Sequence, residues 1–194
     1  IANVRAFGVP AVVAVNAFDG DPKDELDYVR EKAVEYGAVA AAISTPWADG
    51  GAGAEALAAA VWQACEKPSS YSPLYEDTAS IAQKIEAIAR RLYGAQGVNF
   101  EPAAAGQIEQ AEQLGYGRFP ICMAKTQYSL SHDPLLLGRP TGFTLPVREL
   151  RILAGAGFLT AVCGGMQLMP GLPRRPAGEQ VDLDPATGRI VGLV

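Results

Sequence analysis

The sequence predicts an α/β protein: a parallel sheet portion first, then a further mixed α/β portion. Three observations carry this. Phe7 to Val15, FGVPAVVAV, is a continuous apolar run rich in β-branched residues, the composition of a strand buried on both faces of a parallel sheet. Strand-like and helical segments then alternate as strand, helix, strand, helix, a parallel α/β pattern. From Gly142 onward the texture changes to strand-like runs and turns.

The first strand runs into Asn16-Ala-Phe-Asp-Gly-Asp-Pro22, a loop by composition. A helix follows from about Lys23 to Tyr36, with Leu26, Val29, Ala33 and Val34 inward and Gly37 where a C-terminal cap belongs. Ala38 to Ser44 reads as a second buried strand. The glycine-rich loop TPWADGGAG leads to an alanine-rich helix, about Ala54 to Glu66, with Leu57, Ala58, Val61, Trp62 and Cys65 on one face.

Residues 67 to 75 form a Pro/Ser/Tyr linker. Ile81, Ile85, Ile88 and Leu92 then make the clearest helical stripe in the chain, capped by Asp77 or Thr78 and ended by Gly94. Val98 to Phe100 is a short strand, Ala103 to Leu114 a helix and Phe119 to Ala124 a strand, together a second βαβ-like layer. FTLPVREL and GFLTAVCGGMQLM read as strands, and VDLDPATGRIVGLV as a terminal hairpin around Thr187-Gly188.

Of 194 residues, 49% are hydrophobic, enough for a substantial core, and 19% are charged, a low share that suggests surface covered by more protein. A net charge of −5 with scattered lysines speaks against a nucleic-acid binder. Cys65, Cys122 and Cys163 lie far apart in apolar contexts, so buried free thiols in a reducing cytoplasm are expected rather than disulfides or structural zinc. His132 is the single histidine, which excludes a multi-histidine metal site. No apolar run approaches the roughly 20 residues that cross a bilayer. The chain opens Ile1-Ala2-Asn3, and we read it as a piece of a longer protein.

Asn16 and Asp19 stand at the exit of the first strand, where ligands bind in open α/β sheets. Their spacing resembles the base-reading loop of GTP-binding proteins without its lysine, and Asn16 equally suits a turn. Phe18 and Trp47 follow successive parallel strands and could sandwich a flat ligand, or each could pack its loop onto a helix. Lys125 follows the apolar strand in PICMAKTQYSLS. It could meet a phosphate or carboxylate, or snorkel from a loop. Beside it, His132 and Asp133 read as solvated neighbours. No lysine follows a glycine, so these residues contain no G-x-x-x-x-G-K-[ST] phosphate loop.

Taken together, FGVPAVVAVNAF, TPWADGGAG, KIEAIARRLYGA, FPICMAKTQYSLSHDP, AGAGFLTAVCGGMQLMPGLPRRPA and VDLDPATGRIVGLV resemble the formate–tetrahydrofolate ligases, in order over the whole chain. The resemblance implies the C-terminal part of an ATP-dependent ligase of P-loop-NTPase-like build, whose Walker A loop lies upstream. It implies phosphorylation of formate to formyl phosphate, followed by attack of the tetrahydrofolate N10 amine. ATP, Mg²⁺, tetrahydrofolate and a monovalent cation, K⁺ or ammonium, are the implied substrates and cofactors. The implied assembly is a cytoplasmic homo-oligomer, a tetramer in bacteria, with neither nucleic acid nor membrane as partner.

The resemblance places Asn16, Phe18, Ile43 and Trp47 in the pterin region and Pro170, Gly171 and Leu172 beside the nucleotide base. It leaves Lys125 as an anion or cleft residue and assigns no catalytic residue. The family pattern continues Asn-x-Phe with Pro-Thr-Asp-Thr, whereas this chain has Asp19-Gly-Asp-Pro. The expected division is 1–68 for the C-terminal part of the nucleotide- and folate-binding domain, 69–140 for a second α/β layer and 141–194 for a β-rich segment completing the fold. Two other readings stand beside this one: a non-catalytic folate-binding or subunit-interaction module, and a GTPase-like metallochaperone.

Overall fold

The computed structural model describes residues 1–166 and 174–192. It is α/β, with three sheets among those residues. A short helix, α1 (Ala2–Arg5), precedes the first strand, β1 (Val12–Asn16), which starts later than FGVPAVVAV suggests. The reason is local. Pro10 has no N–H for a ladder. Gly8 turns the chain at φ +75, and a Cβ there would lie 2.2 Å from the Ser70 carbonyl oxygen.

Helix α2 (Lys23–Glu35) carries β1 over to β2 (Ala40–Ser44) in parallel register, with Val15 opposite Ile43 and Asn16 opposite Ser44. Gly37 turns out of α2 at φ +97, the conformation a glycine cap supplies. A short helix, α3 (Pro46–Asp49), and a 3₁₀ turn over Gly50–Ala54 precede α4 (Glu55–Cys65).

Burial in this sheet is thinner than the sequence suggests. Val15 is buried but Ala14 is exposed, so β1 is not covered on both faces. Leu26 and Ala33 of α2 turn inward while Val29 and Val34 are about half exposed. On α4 the inward residues are Leu57, Ala60 and Ala64, whereas Ala58, Val61, Trp62 and Cys65 face outward. Both strands of this two-stranded sheet are edges, so the described residues offer too little surface to bury every apolar side chain.

The second sheet holds the core. Its order is β3 (Gly97–Phe100), β5 (Thr144–Leu153), β6 (Phe158–Cys163), β4 (Ile121–Ala124). β3 runs parallel to β5, and β4 parallel to β6, while β5 and β6 form an antiparallel hairpin. β3 and β4 therefore point in opposite senses. The expected βαβ-like layer is instead a mixed sheet, because the hairpin inserts between the strands that helix α6 (Pro102–Gln113) connects. A register shift between Val147 and Glu149 moves the buried positions of β5 from Leu145 and Val147 to Leu150. Leu159 to Cys163 of the central β6 are all buried.

Helix α5 (Ile81–Arg91) lays Ile81, Ile85 and Ile88 against this sheet, each burial worth about 1.5–3 kcal/mol. Its cap is Ser80, not Asp77 or Thr78. The Ser80 hydroxyl accepts from the Gln83 amide and the Gln83 side chain accepts from the Ser80 amide, a reciprocal capping box. The expected terminal hairpin is present as β7 (Asp182–Leu183) and β8 (Ile190–Val191). No described helix is long and apolar enough to cross a membrane.

Candidate functional site at the carboxyl ends of the parallel pair

Parallel pairing with Asn16 opposite Ser44 brings β1 and β2 to their carboxyl ends at one level. The chain leaves β1 through Ala17, whose amide donates to the Ser44 carbonyl at 3.0 Å. It leaves β2 through Thr45, with Pro46 opening α3 at the position where its missing N–H costs nothing. The two exits enclose a cleft of about 440 Å³ lined by Ala17, Phe18, Asp19, Thr45, Trp47 and Ala48. Phe18 is 57% exposed and Trp47 79%. Both rings stand more exposed than buried.

The structure thus brings Phe18, Asp19 and Trp47 to one cleft. Asn16 is exposed at the last position of β1, and Ile43 is half-buried in β2, and neither is among the cleft walls. Thr45, Ala17 and Ala48 complete those walls and carry no chemical signature that sequence reading would single out. Pro170, Gly171 and Leu172 lie outside the described residues.

A slightly larger cavity, about 480 Å³, lies between the 67–75 linker and the second sheet, with Phe7, Tyr71, Tyr93 and Met123 among its walls. Size does not choose between them. The smaller cleft has the location that open α/β sheets use for ligands and two exposed aromatic walls.

Lys125 belongs to the other sheet, at the exit of β4. Its ammonium donates to the Thr126 carbonyl at 3.1 Å and to the Ser129 carbonyl, and it lies 5.0 Å from the centroid of the Tyr93 ring. Burial lowers its pKa, partly opposed by the nearby Cys163 thiol. The same burial pushes Tyr93 and Cys163 each up to about 12. Of the polar residues after Lys125, Gln127 and Tyr128 are exposed while the two serines turn inward. Ser129 and Ser131 are buried with their hydroxyls 3.1 Å apart. The Ser129 hydroxyl also donates to the Leu136 carbonyl, and the Ser131 hydroxyl accepts from the Asp133 amide at 3.0 Å. His132 packs 6.2 Å from Phe143, centroid to centroid, with a buried Nδ1, rather than standing in solvent.

All three cysteines are free, but only Cys163 is buried; Cys65 and Cys122 are exposed, contrary to the apolar contexts of their sequence. Among the described residues, no group of three or more His, Cys, Asp or Glu side chains is placed to hold a metal ion.

The family model for formate–tetrahydrofolate ligase matches residues 1–194. A formate–tetrahydrofolate ligase of Saccharopolyspora erythraea is 51% identical over 193 residues, all of this chain and 34% of the relative. One from Roseiflexus is 49% identical over 189 residues, 97% of this chain and 33% of the relative. The cytoplasmic C-1-tetrahydrofolate synthase of Mus musculus is 50% identical over 193 residues, 100% of this chain and 21% of the relative. The chain spans about a third of the length of the ligases it matches.

Proposed function

This chain belongs to the formate–tetrahydrofolate ligase family, and on that premise we propose that the cleft between Phe18 and Trp47 holds the pterin of tetrahydrofolate in an ATP-dependent formate ligation. The observation that carries the reading is the exposure of two aromatic rings on one cleft at the carboxyl ends of adjacent parallel strands. The Trp47 ring is 79% exposed on the cleft, and a flat aromatic ligand would gain from stacking on it. The family relationship favours this ligase over the scaffold and metallochaperone readings.

In the reaction, a formate oxygen takes the γ-phosphoryl group of ATP, giving formyl phosphate and ADP. The N10 amine then attacks the formyl carbon, and its carbon–nitrogen bond replaces the carbon–oxygen bond to phosphate. Phosphate leaves and the amine proton passes to solvent, giving 10-formyltetrahydrofolate. The part of these residues is to bind and orient the pterin, because attack requires the amine held close to the carbonyl. These 194 residues contain no G-x-x-x-x-G-K-[ST] loop, so the proposal places the phosphate cradle elsewhere in the enzyme. No group of three or more His, Cys, Asp or Glu side chains among the described residues is placed to hold a metal ion, and no step is assigned to a cation.

The proposal extends to Asn16 and Ile43 as neighbours of the pterin and to Pro170, Gly171 and Leu172 beside the adenine. It includes the division at 68 and 140 and a P-loop-type first domain, with a cytoplasmic homo-oligomer as the working form. Lys125 is assigned to holding its own loop, since its donors already meet carbonyls.

Titrating tetrahydrofolate against full-length wild type, Trp47→Ala and Phe18→Ala tests the site. Removing either wall is expected to cost about 2–4 kcal/mol of binding, as for buried hot-spot aromatics, roughly 30- to 1,000-fold in Kd. Melting temperatures should hold, because Trp47 is 79% exposed before the ligand arrives. Unchanged affinity in both variants would remove the pterin from this cleft.

A further inference from the structure

The two loops that build this cleft are shaped by carboxylates standing outside it. On the first, the Phe18 amide donates to Asp21 Oδ2 at 2.8 Å, and the Asp21 amide donates back to the Phe18 carbonyl at 3.1 Å. Gly20 lies between them at φ +91, a conformation side chains rarely adopt. On the second, the Thr45 hydroxyl donates to Asp49 Oδ2 at 2.7 Å. The Ala48 and Asp49 amides donate to the Thr45 carbonyl at 3.1 and 2.9 Å. Trp47 sits inside that closed turn. Neither Asp21 nor Asp49 lines the cleft.

Resting on the reading of this cleft as the tetrahydrofolate site, we infer that Asp21 and Asp49 are positioning residues, each closing its own loop so that Phe18 and Trp47 stand ready before the ligand arrives. Ordering a loop on binding costs backbone entropy for every residue fixed. A loop already closed by its own carboxylate leaves that cost to folding, and the affinity gained is the preorganisation. The Asp21 side chain does this by accepting from a backbone amide of its own turn, and the Asp49 side chain by accepting from the Thr45 hydroxyl that opens its turn.

The test compares Asp21→Ala, Asp21→Asn and Phe18→Ala with wild type in the full-length protein. Two quantities are read: hydrogen exchange at the Phe18 amide and the Kd for tetrahydrofolate. Asp21→Ala is expected to speed the exchange and weaken binding about three- to tenfold, the worth of one hydrogen bond that holds a loop. Asp21→Asn keeps an oxygen that accepts from the amide and should stay within about twofold of wild type in both readings. Asp49→Ala should weaken binding by a similar factor, and wild-type affinity there would overturn the inference for the second loop.

Unchanged exchange in Asp21→Ala would show that the carboxylate does not hold the loop. Equal loss in Asp21→Asn and Asp21→Ala would mean that the charge meets the ligand directly, which also overturns a positioning role. Weak binding in Phe18→Ala with normal binding in Asp21→Ala would sink this inference and leave the pterin site standing. Normal binding in both Phe18→Ala and Trp47→Ala would remove the site and the inference together.

Discussion

Lys84 heads the fully buried side chains by size, at 0% exposure. Its ammonium donates to the Gly117 carbonyl at 2.7 Å and the Phe119 carbonyl at 3.2 Å, and lies 5.8 Å from the centroid of the Tyr75 ring. It thereby ties α5 to the turn over Tyr116–Arg118 that leads into β4. Lys84→Met keeps nearly the same length and volume, so packing changes little. What it removes is the donor to two backbone carbonyls, which stay where the chain holds them. Each acceptor left without a partner costs about 1–3 kcal/mol. Against this, the variant no longer desolvates an ammonium, the cause that lowers the Lys84 pKa. Two carbonyls and an aromatic face already compensate that charge, so the acceptors decide the sign. A net loss of about 2–4 kcal/mol follows, or roughly 4–16 °C in melting temperature for a chain of this size.

The pH dependence supplies a second reading of the same residue. The folded state holds the Lys84 proton less tightly than the ordinary value of 10.5. Below the folded pKa both states are protonated and the desolvation cost is fully present. Between the folded pKa and 10.5 the unfolded chain binds more protons, so the Lys84 contribution to stability rises with pH across that window. Urea denaturation of wild type and Lys84→Met at neutral and alkaline pH measures both effects, and the variant should lack the rise. A Lys84→Met protein as stable as wild type at pH 7 would refute the reasoning, showing the lysine to be a tolerated charge rather than a tie.

Two further outcomes can be checked. Thiol titration of the native protein at about pH 8 should find Cys65 and Cys122 reacting fast and Cys163 only on unfolding, because Cys163 is buried with its thiol pushed up to about 12; rapid labelling of Cys163 would contradict the packing of β6. Gly53→Ala would place a Cβ 2.5 Å from the Thr45 carbonyl carbon and oxygen, so it should displace the Trp47 turn, weaken tetrahydrofolate binding and cost about 1–3 kcal/mol of stability in thermal melts.

The elements legible in the sequence are those with contrast between faces. Helix α5 alternates isoleucines with Gln83, Glu86 and Arg90, so its stripe reads directly and is buried as expected. Helix α4, EALAAAVWQAC, is apolar nearly all round. Its periodicity names no face, and Trp62 ends 72% exposed while Ala64 is buried. Sheet order is not legible at all from local pattern. β3 and β4 lie close in sequence, yet β5 and β6 enter between them, a long-range pairing that no spacing announces. For the cleft, Phe18 and Trp47 were readable because they follow successive strands. Asp21 and Asp49 were readable only as loop residues, since what distinguishes them is a bond within their own turns, from the Phe18 amide and the Thr45 hydroxyl.

PICMAKTQYSLS shows why chemical residue types alone mislead. A lysine followed by hydroxyls and amides has the composition of a binding loop, and buried polar groups must find partners wherever they are. Here the partners are internal: Lys125 to Thr126 and Ser129, Ser129 to Leu136, Ser131 to Asp133. Those bonds occupy Lys125 and the two serines and give the segment a fixed shape, while Gln127 and Tyr128 stay exposed. The cleft at β1 and β2 has the opposite signature. Its conspicuous groups are apolar, exposed and unpaired, at a place where packing would otherwise cover them. A polar cluster satisfied within its own loop is explained by folding. Two aromatic rings exposed on one cleft at the carboxyl ends of adjacent parallel strands are the observation on which the proposed pterin site rests.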